Sequence, residues 1–317
     1  MLSSVEICAG AGGQALGLEE AGFAHSALVE IDADCCKTLR LNRPRWNVIE
    51  ADVRSFDGRP YRGADLFAGG VPCPPFSMAG KQLGQADERD LFPEAVRLID
   101  EIRPRAVLLE NVRGLMGAVF QDYRGHIARD VGKMGYWTGW RLLNASDYGV
   151  PQLRPRVAFV ALAKGLEDAF DWPVPLKSDP VTVSAALSDL MGQNGWRGLD
   201  GWKTRANEIA PTLVGGSKKH GGPDLGPTRA RAAWAALGVN GKSLADHAPE
   251  PDFVGMPRLT PRMAARIQGF PDSWSFYGKK TTAYRQIGNA FPPPVARGLA
   301  KSLRTAIEVG AKYRLAG

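Results

Sequence analysis

The 317-residue chain is poor in the residues that most often carry metal or thiol chemistry, with four cysteines and four histidines. Cys8, Cys35, Cys36 and Cys73 form no CxxC pair, so neither a disulfide framework nor a zinc site is expected. No HxE tripeptide occurs, and Phe76 stands where a PCxxC motif would need its second cysteine, which excludes a zinc base deaminase. His25, His126, His220 and His247 all lie far from Cys73 in sequence, so a Cys–His protease dyad has no support. The N-terminal "MLSSVEICAGAGG" lacks a basic stretch followed by an apolar one, and no apolar run approaches the ~18 residues of a membrane span. The expectation is a cytoplasmic protein with no membrane partner. Internal repeats are also lacking.

What is present is an ordinary globular composition, 44% hydrophobic and 23% charged, with a net charge of +7. The excess is uneven. Across 201–232, Lys203, Arg205, Lys218, Lys219, Arg229 and Arg231 stand against Glu208 and Asp224, among Gly215, Gly216, Gly221 and Gly222. A basic, glycine-rich loop can lie close to a phosphate backbone, although a solvated surface loop has the same composition.

The first 165 residues alternate short apolar runs with helix-like stretches. Strands are expected at 5–10, 26–32, 64–70, 106–112, 139–145 and 157–163, and helices at 13–23, 33–42 and 93–104. That rhythm predicts an α/β fold with a mostly parallel sheet covered on both faces, in which ligands sit beyond the carboxyl ends of the strands. Gly10–Gly13, Glu30, Cys73 and Glu110 all fall at such ends. Near residue 172 the proline-rich "DWPVPLKSDP" interrupts the pattern, and helix signals become scattered (183–190, 229–237). We expect residues 1–172, completed by 283–317, to form a cofactor-binding catalytic domain. Residues 173–282 are expected to form an inserted, smaller and irregular one.

The segment "GGVPCPPFSMAGK" (69–81) clamps Cys73 between Pro72, Pro74 and Pro75. Proline fixes φ and pushes the preceding residue out of the helical region, so the thiol sits on a stiff, extended loop. A buried loop cysteine remains one reading; a nucleophile with a fixed aim is the other. "CAGAGG" (8–13) follows a strand and opens a helix, which suits close approach of backbone to a ligand or a simple tight turn. Glu30, twenty residues after Gly10, suits a ribose diol, and Asp52 suits an adenine amino group. Glu110 ends an apolar strand beside Asn111, where burial would raise its pKa. A protonated carboxyl near a thiolate suits attack on C6 of a pyrimidine with the proton shared at N3. Arg154 and Arg156, at i and i+2, would point to one face of a strand and hold a base, a ribose, a phosphate or Glu110 itself.

In order and type, "EICAGAGGQALGLEEAGF", "ALVEID", "ADVRSF", "GGVPCPPFS", "ENVRG", "QLRPR", "RLTPRMAARIQGFPDSW" and "QIGNAFPPPVA" resemble the DNA (cytosine-5) methyltransferases of the compact prokaryotic type. The resemblance covers nearly everything outside 175–257. It implies a class I S-adenosylmethionine-dependent, Rossmann-like fold with an inserted target-recognition domain, acting on double-stranded DNA after flipping out a cytosine. On this basis Cys73 matches the nucleophile, Glu110 the acid at N3, and Arg154 and Arg156 the arginine pair around the flipped base, Arg154 also being a DNA contact. Cys8, Ala9, Gly10, Gly12, Gly13, Glu30, Ile31, Asp52, Val53, Pro72, Asn289 and Ala290 match cofactor positions, and Pro72 and Asn111 also shape the pocket. Residues 74–90, with Ser77 and Gly84, match a loop that closes over DNA. Thr212 and Leu213 match a recognition-loop pair. Lys218, Lys219, His220 and Arg229 are expected to touch DNA, and Arg262 to brace the recognition domain. The family commonly has phenylalanine where this chain has Cys8, which implies a thinner contact with the cofactor adenine. A monomer is expected, with a restriction endonuclease of the same site as a candidate partner. Transfer RNA as substrate, or an inactive DNA-binding scaffold, are the competing readings. The intact Cys73, Glu110, Arg154 and Arg156 argue against the inactive scaffold. A folate-dependent pyrimidine methylase would leave the Gly10–Gly13, Glu30 and Asp52 series unexplained.

Overall fold

A computed structural model describes residues 1–72, 90–216 and 222–315, with side chains to 310. Its first half alternates β1 (Leu2–Ile7), α1 (Gly13–Glu20), β2 (Phe23–Glu30), α2 (Ala33–Asn42), β3 (Val48–Glu50), β4 (Leu66–Gly70), α3 (Phe92–Ile102), β5 (Ala106–Val112), α4 (Gln121–Lys133), β6 (Tyr136–Asn144) and β7 (Pro155–Ala163). The strands form one sheet in the order β3-β2-β1-β4-β5-β7-β6. The first five are parallel, and β7 runs antiparallel to both β5 and β6.

The strand order reverses at β1, which pairs with β2 on one side and β4 on the other. Crossovers leave β1 and β4 toward opposite faces, so a crevice opens beyond their carboxyl ends. One apolar layer packs Leu66, Leu108 and Val160 of the sheet against Leu299 and Leu303 of α10 (Pro293–Leu315). The opposite layer packs Val5, Phe67 and Val107 against Leu98, Ile99 and Ile102 of α3. Each such side chain, removed fully from water, contributes about 1.5–3 kcal/mol, and together they fix the strand ends that frame the crevice.

The remaining helices are short: α5 (Val183–Met191), α6 (Leu199–Arg205), α7 (Thr228–Ala236), α8 (Pro261–Ile267) and α9 (Lys280–Asn289). Their ends follow local chemistry. Thr182 caps α5 by accepting from the Ala185 N–H at 3.2 Å, and Thr260 caps α8 ahead of Pro261 at the first helical position. A separate core gathers Trp196, Trp202, Trp234 and Trp274 with Leu187, Leu259 and Met263. Tyr284 and Ile287 of α9 pack into that same core, and the expected division between 282 and 283 falls inside α9. No helix among the described residues is long and apolar enough to cross a membrane.

Candidate active site and cofactor cleft

A cavity of about 390 Å³ occupies the crevice, lined by the turn after β1, the ends of β2, β4 and β5, and the end of α9. The turn is forced into shape where the chain leaves β1. Cys8 and Gly10 adopt left-handed φ values of 51° and 54°, and Gly12 one of 86°. For Cys8 that conformation costs about 1–2 kcal/mol, held in place by the surrounding sheet. Gly13 admits no side chain, because a Cβ there would stand 2.2 Å from the Phe291 carbonyl. Burial, with Glu30 close by, pushes the Cys8 thiol well above its ordinary pKa.

Glu30, 8% exposed at the end of β2, ties this turn to its own strand. One carboxylate oxygen accepts from the Gly10 N–H at 2.7 Å and the other from the Asp32 N–H at 2.8 Å. Burial raises its pKa while those backbone donors pull it back. Ile31 beside it is 66% exposed, an apolar surface open to a flat ring. Asp52 follows β3 and caps the next turn by accepting from the Arg54 N–H at 2.9 Å, with the Arg54 guanidinium at 3.0 Å. These bonds hold its carboxyl below the usual range. Val53 is buried in the wall, and Asn289 and Ala290 close the far side.

Glu6 and Gln14 are among the lining residues that the sequence reading did not name. Glu6 is fully buried in β1, and neither carboxylate oxygen has a hydrogen-bond partner among the described residues. Burial and the neighbouring Glu30 push its pKa well upward. Gln14 on α1, 3% exposed, likewise has an unpartnered amide oxygen, its nitrogen donating to the Leu108 carbonyl at 3.4 Å. Unpaired buried acceptors are costly, and here they border a cavity that a cationic or hydrogen-bond-donating ligand would fill. These acceptors therefore fit S-adenosylmethionine, a nucleoside with a sulfonium and an ammonium group. The signal in the sequence for Glu6 was an acid between Val5 and Ile7 near the end of the first strand.

The other end of the cavity belongs to β4 and β5. Glu110 sits opposite Gly70 in the parallel register, and its carboxylate meets the Arg156 guanidinium at 2.8 Å. Burial raises the Glu110 pKa, with Arg156 and Arg154 opposing the rise. Asn111, 4% exposed, donates to the Val71 carbonyl at 2.8 Å while its oxygen accepts from the Val112 N–H. It thereby pins the strand exit immediately before Pro72, which lines the cavity. Cys73, Ser77 and Gly84 lie outside the described residues, as do Lys218, Lys219 and His220.

Arg154 departs from the strand-face expectation. It precedes β7, so the i, i+2 alternation that would pair it with Arg156 does not apply. It is 1% exposed, and its guanidinium donates to the carbonyls of Leu213 (2.8 Å), Gly288 (2.6 Å) and Ala290 (3.3 Å). In this arrangement it has no open face for DNA, a correction to the expected contact. Thr212 donates to the Leu153 carbonyl at 2.6 Å, and Arg229 is exposed on α7. Arg262 donates to the carbonyls of Pro271 and Trp274, as a brace would.

A family model described as C-5 cytosine-specific DNA methylase matches residues 2–305. The type II methyltransferase M.NgoMIV of Neisseria gonorrhoeae is 56% identical over 96% of this chain and 98% of its own. M.NaeI of Lentzea aerocolonigenes is 54% identical over 99% of this chain and 77% of its own. Among solved structures, a variant of Spodoptera frugiperda DNMT2 superposes with a TM-score of 0.67 at 20% identity, covering 96% of this chain and 100% of that one, a likeness of fold.

Proposed function

The chain belongs to the C-5 cytosine-specific DNA methylases and is an S-adenosylmethionine-dependent DNA (cytosine-5) methyltransferase; on that premise we propose how its own residues divide the work. Cys73 is the nucleophile and Glu110 the acid. The Cys73 thiolate adds to C6 of a flipped cytosine while Glu110 shares its proton with N3, which drains charge from the ring and makes C5 nucleophilic. S-adenosylmethionine, when bound, supplies the methyl group that C5 accepts. Loss of the C5 proton then breaks the C6–sulfur bond and returns Cys73 as thiolate.

Arg156 orients Glu110 and keeps its proton at a useful poise. Asn111 and Pro72 set the exit angle of the loop that carries Cys73. Glu30 and the Gly10–Gly13 turn hold the nucleoside, Asp52 and Ile31 flank its base, and Glu6 and Gln14 face its charged tail. Residues 173–282 read the DNA site, with Thr212, Lys218, Lys219, His220 and Arg229 among the contacts. We further propose that the enzyme acts as a cytoplasmic monomer, protecting sites that a cognate restriction endonuclease would cut.

The observation that carries this reading is the single cavity joining a buried carboxyl–guanidinium pair at one end to the Glu30-braced glycine turn at the other. Conversion sequencing of plasmid DNA from a methylation-free host tests it. Wild type should protect cytosines within one short motif, and Cys73→Ala should protect none. Protection that survives Cys73→Ala contradicts the assignment.

A further inference from the structure

Behind the cavity, four segments far apart in sequence meet through buried polar side chains. Gln152 and Gln268 are both fully buried, and so is Arg154. The Leu213 N–H donates to the Gln152 amide oxygen at 2.8 Å. The Gln152 amide nitrogen donates to the Gln268 amide oxygen at 2.8 Å. The Gln268 nitrogen donates to the Ala290 carbonyl. Arg154 closes the circuit, donating to the Ala290 carbonyl at 3.3 Å and to the Leu213 carbonyl at 2.8 Å.

Every link of this ring is sheltered from water, and removing one amide strands its neighbours. Buried polar networks of that kind hold one arrangement far better than partly bonded alternatives. The ring's two extremes have different neighbours. Ala290 lines the cofactor cavity, whereas Leu213 belongs to the loop read above as part of the DNA-facing surface.

We infer that the Gln152–Gln268–Arg154 ring couples occupancy of the cofactor cavity to the order of the 210–216 recognition loop, with Gln152 and Gln268 acting as positioning residues. The inference rests on the assignment of the cavity to S-adenosylmethionine. A ligand that steadies Ala290 steadies the carbonyl on which both Gln268 and Arg154 converge, and through them both sides of the Leu213 peptide. By linkage, DNA that holds the loop tightens the cofactor by the same factor. A second route runs directly through α9, because the Asn289 amide of the cavity wall donates to the Gly216 carbonyl at 3.1 Å and a Cβ on Gly288 would stand 2.5 Å from the Gly215 nitrogen. The test has to separate the two.

Residue-resolved amide hydrogen exchange, with S-adenosylhomocysteine as the probe and no DNA, does so. In wild type, saturating ligand should slow exchange at residues 8–13 and also at Leu213, the latter by about fivefold or more. In Gln152→Met, and independently in Gln268→Met, the response at 8–13 should remain while that at Leu213 disappears. A wild type whose 8–13 segment responds while Leu213 does not overturns the inference and leaves the cofactor assignment standing. Slowing at Leu213 that persists in both variants also overturns it, in favour of the contacts that bypass the two glutamines: Arg154 to Leu213, Asn289 to Gly216 and Gly288 to Gly215. No response at 8–13 in wild type overturns the cofactor assignment and the inference with it.

Discussion

The two ends of the cleft are built from different materials. At the cofactor end, Glu30 is held by two backbone N–H groups and the turn it braces is shaped by glycines. At the catalytic end, Glu110 is held by a side chain, Arg156, and the strand exit by another, Asn111. Backbone donors survive most substitutions, so the first end depends on fold. The second depends on a few side chains whose loss nothing nearby replaces. This difference explains how Cys8 can stand where the family commonly has phenylalanine while the matched acid and arginines are all present.

The comparison predicts a steep ranking of substitutions. Glu110→Gln keeps shape and removes the proton donor, and steady-state methylation should fall by about 100-fold or more with DNA binding intact, as measured by gel shift. A loss confined to KM for DNA would break the assignment. Arg156→Met should come next, in stability as well as rate. It leaves a buried carboxyl unpaired, at a cost of about 3 kcal/mol near neutral pH by urea denaturation.

That cost has a defined pH dependence. A carboxyl whose folded pKa lies above its unfolded value favours folding below the unfolded value, near 4.5, and loses that contribution as pH rises through the folded one. The difference between Arg156→Met and wild type should therefore shrink toward pH 4 and widen above it. A difference that grows toward low pH would contradict the account.

Effects at the cofactor end should be smaller and confined to ligand affinity. Glu30→Ala removes the acceptor for Gly10 and Asp32 and should weaken S-adenosylhomocysteine by roughly tenfold in calorimetry, since hydrogen bonds to a charged group are worth about 1.5–3 kcal/mol. Cys8→Ala should change the same affinity by less than about threefold, because only a small apolar contact is trimmed. A larger effect would mean that this thiol does more than fill space.

The parallel half of the fold was legible because buried strands and their crossover helices write their period into the chain. The helix over 33–42 and the strand over 106–112 have the bounds that the sequence implied. Helix α4 left no such trace, since Gly125 and Gly132 dilute it and only Ile127 and Val131 are buried. The recognition segment is harder for a related reason. Its core gathers indoles scattered along the chain, Trp196, Trp202, Trp234 and Trp274, among residues such as Leu187, Leu259 and Met263, and these fill space without periodicity.

At the site, Glu30 and Glu110 were readable as acids at strand ends. Glu6 was hidden inside a strand, where only the surrounding cavity gives it meaning. Arg154 was misjudged because strand alternation was extended one residue beyond the strand, and its carbonyl partners at 213, 288 and 290 are visible only in three dimensions.

The central claim is that Cys73 forms a transient bond to C6 of a cytosine. The direct measurement replaces the methylated cytosine, once mapped by conversion sequencing, with 5-fluorocytosine in a synthetic duplex and adds S-adenosylmethionine. Fluorine at C5 blocks the final elimination, so wild type should remain attached to DNA through denaturing electrophoresis, with the adduct on Cys73 by peptide mass spectrometry. Cys73→Ala should give no adduct. An adduct on another residue, or full turnover of the fluorinated duplex without one, would contradict the account.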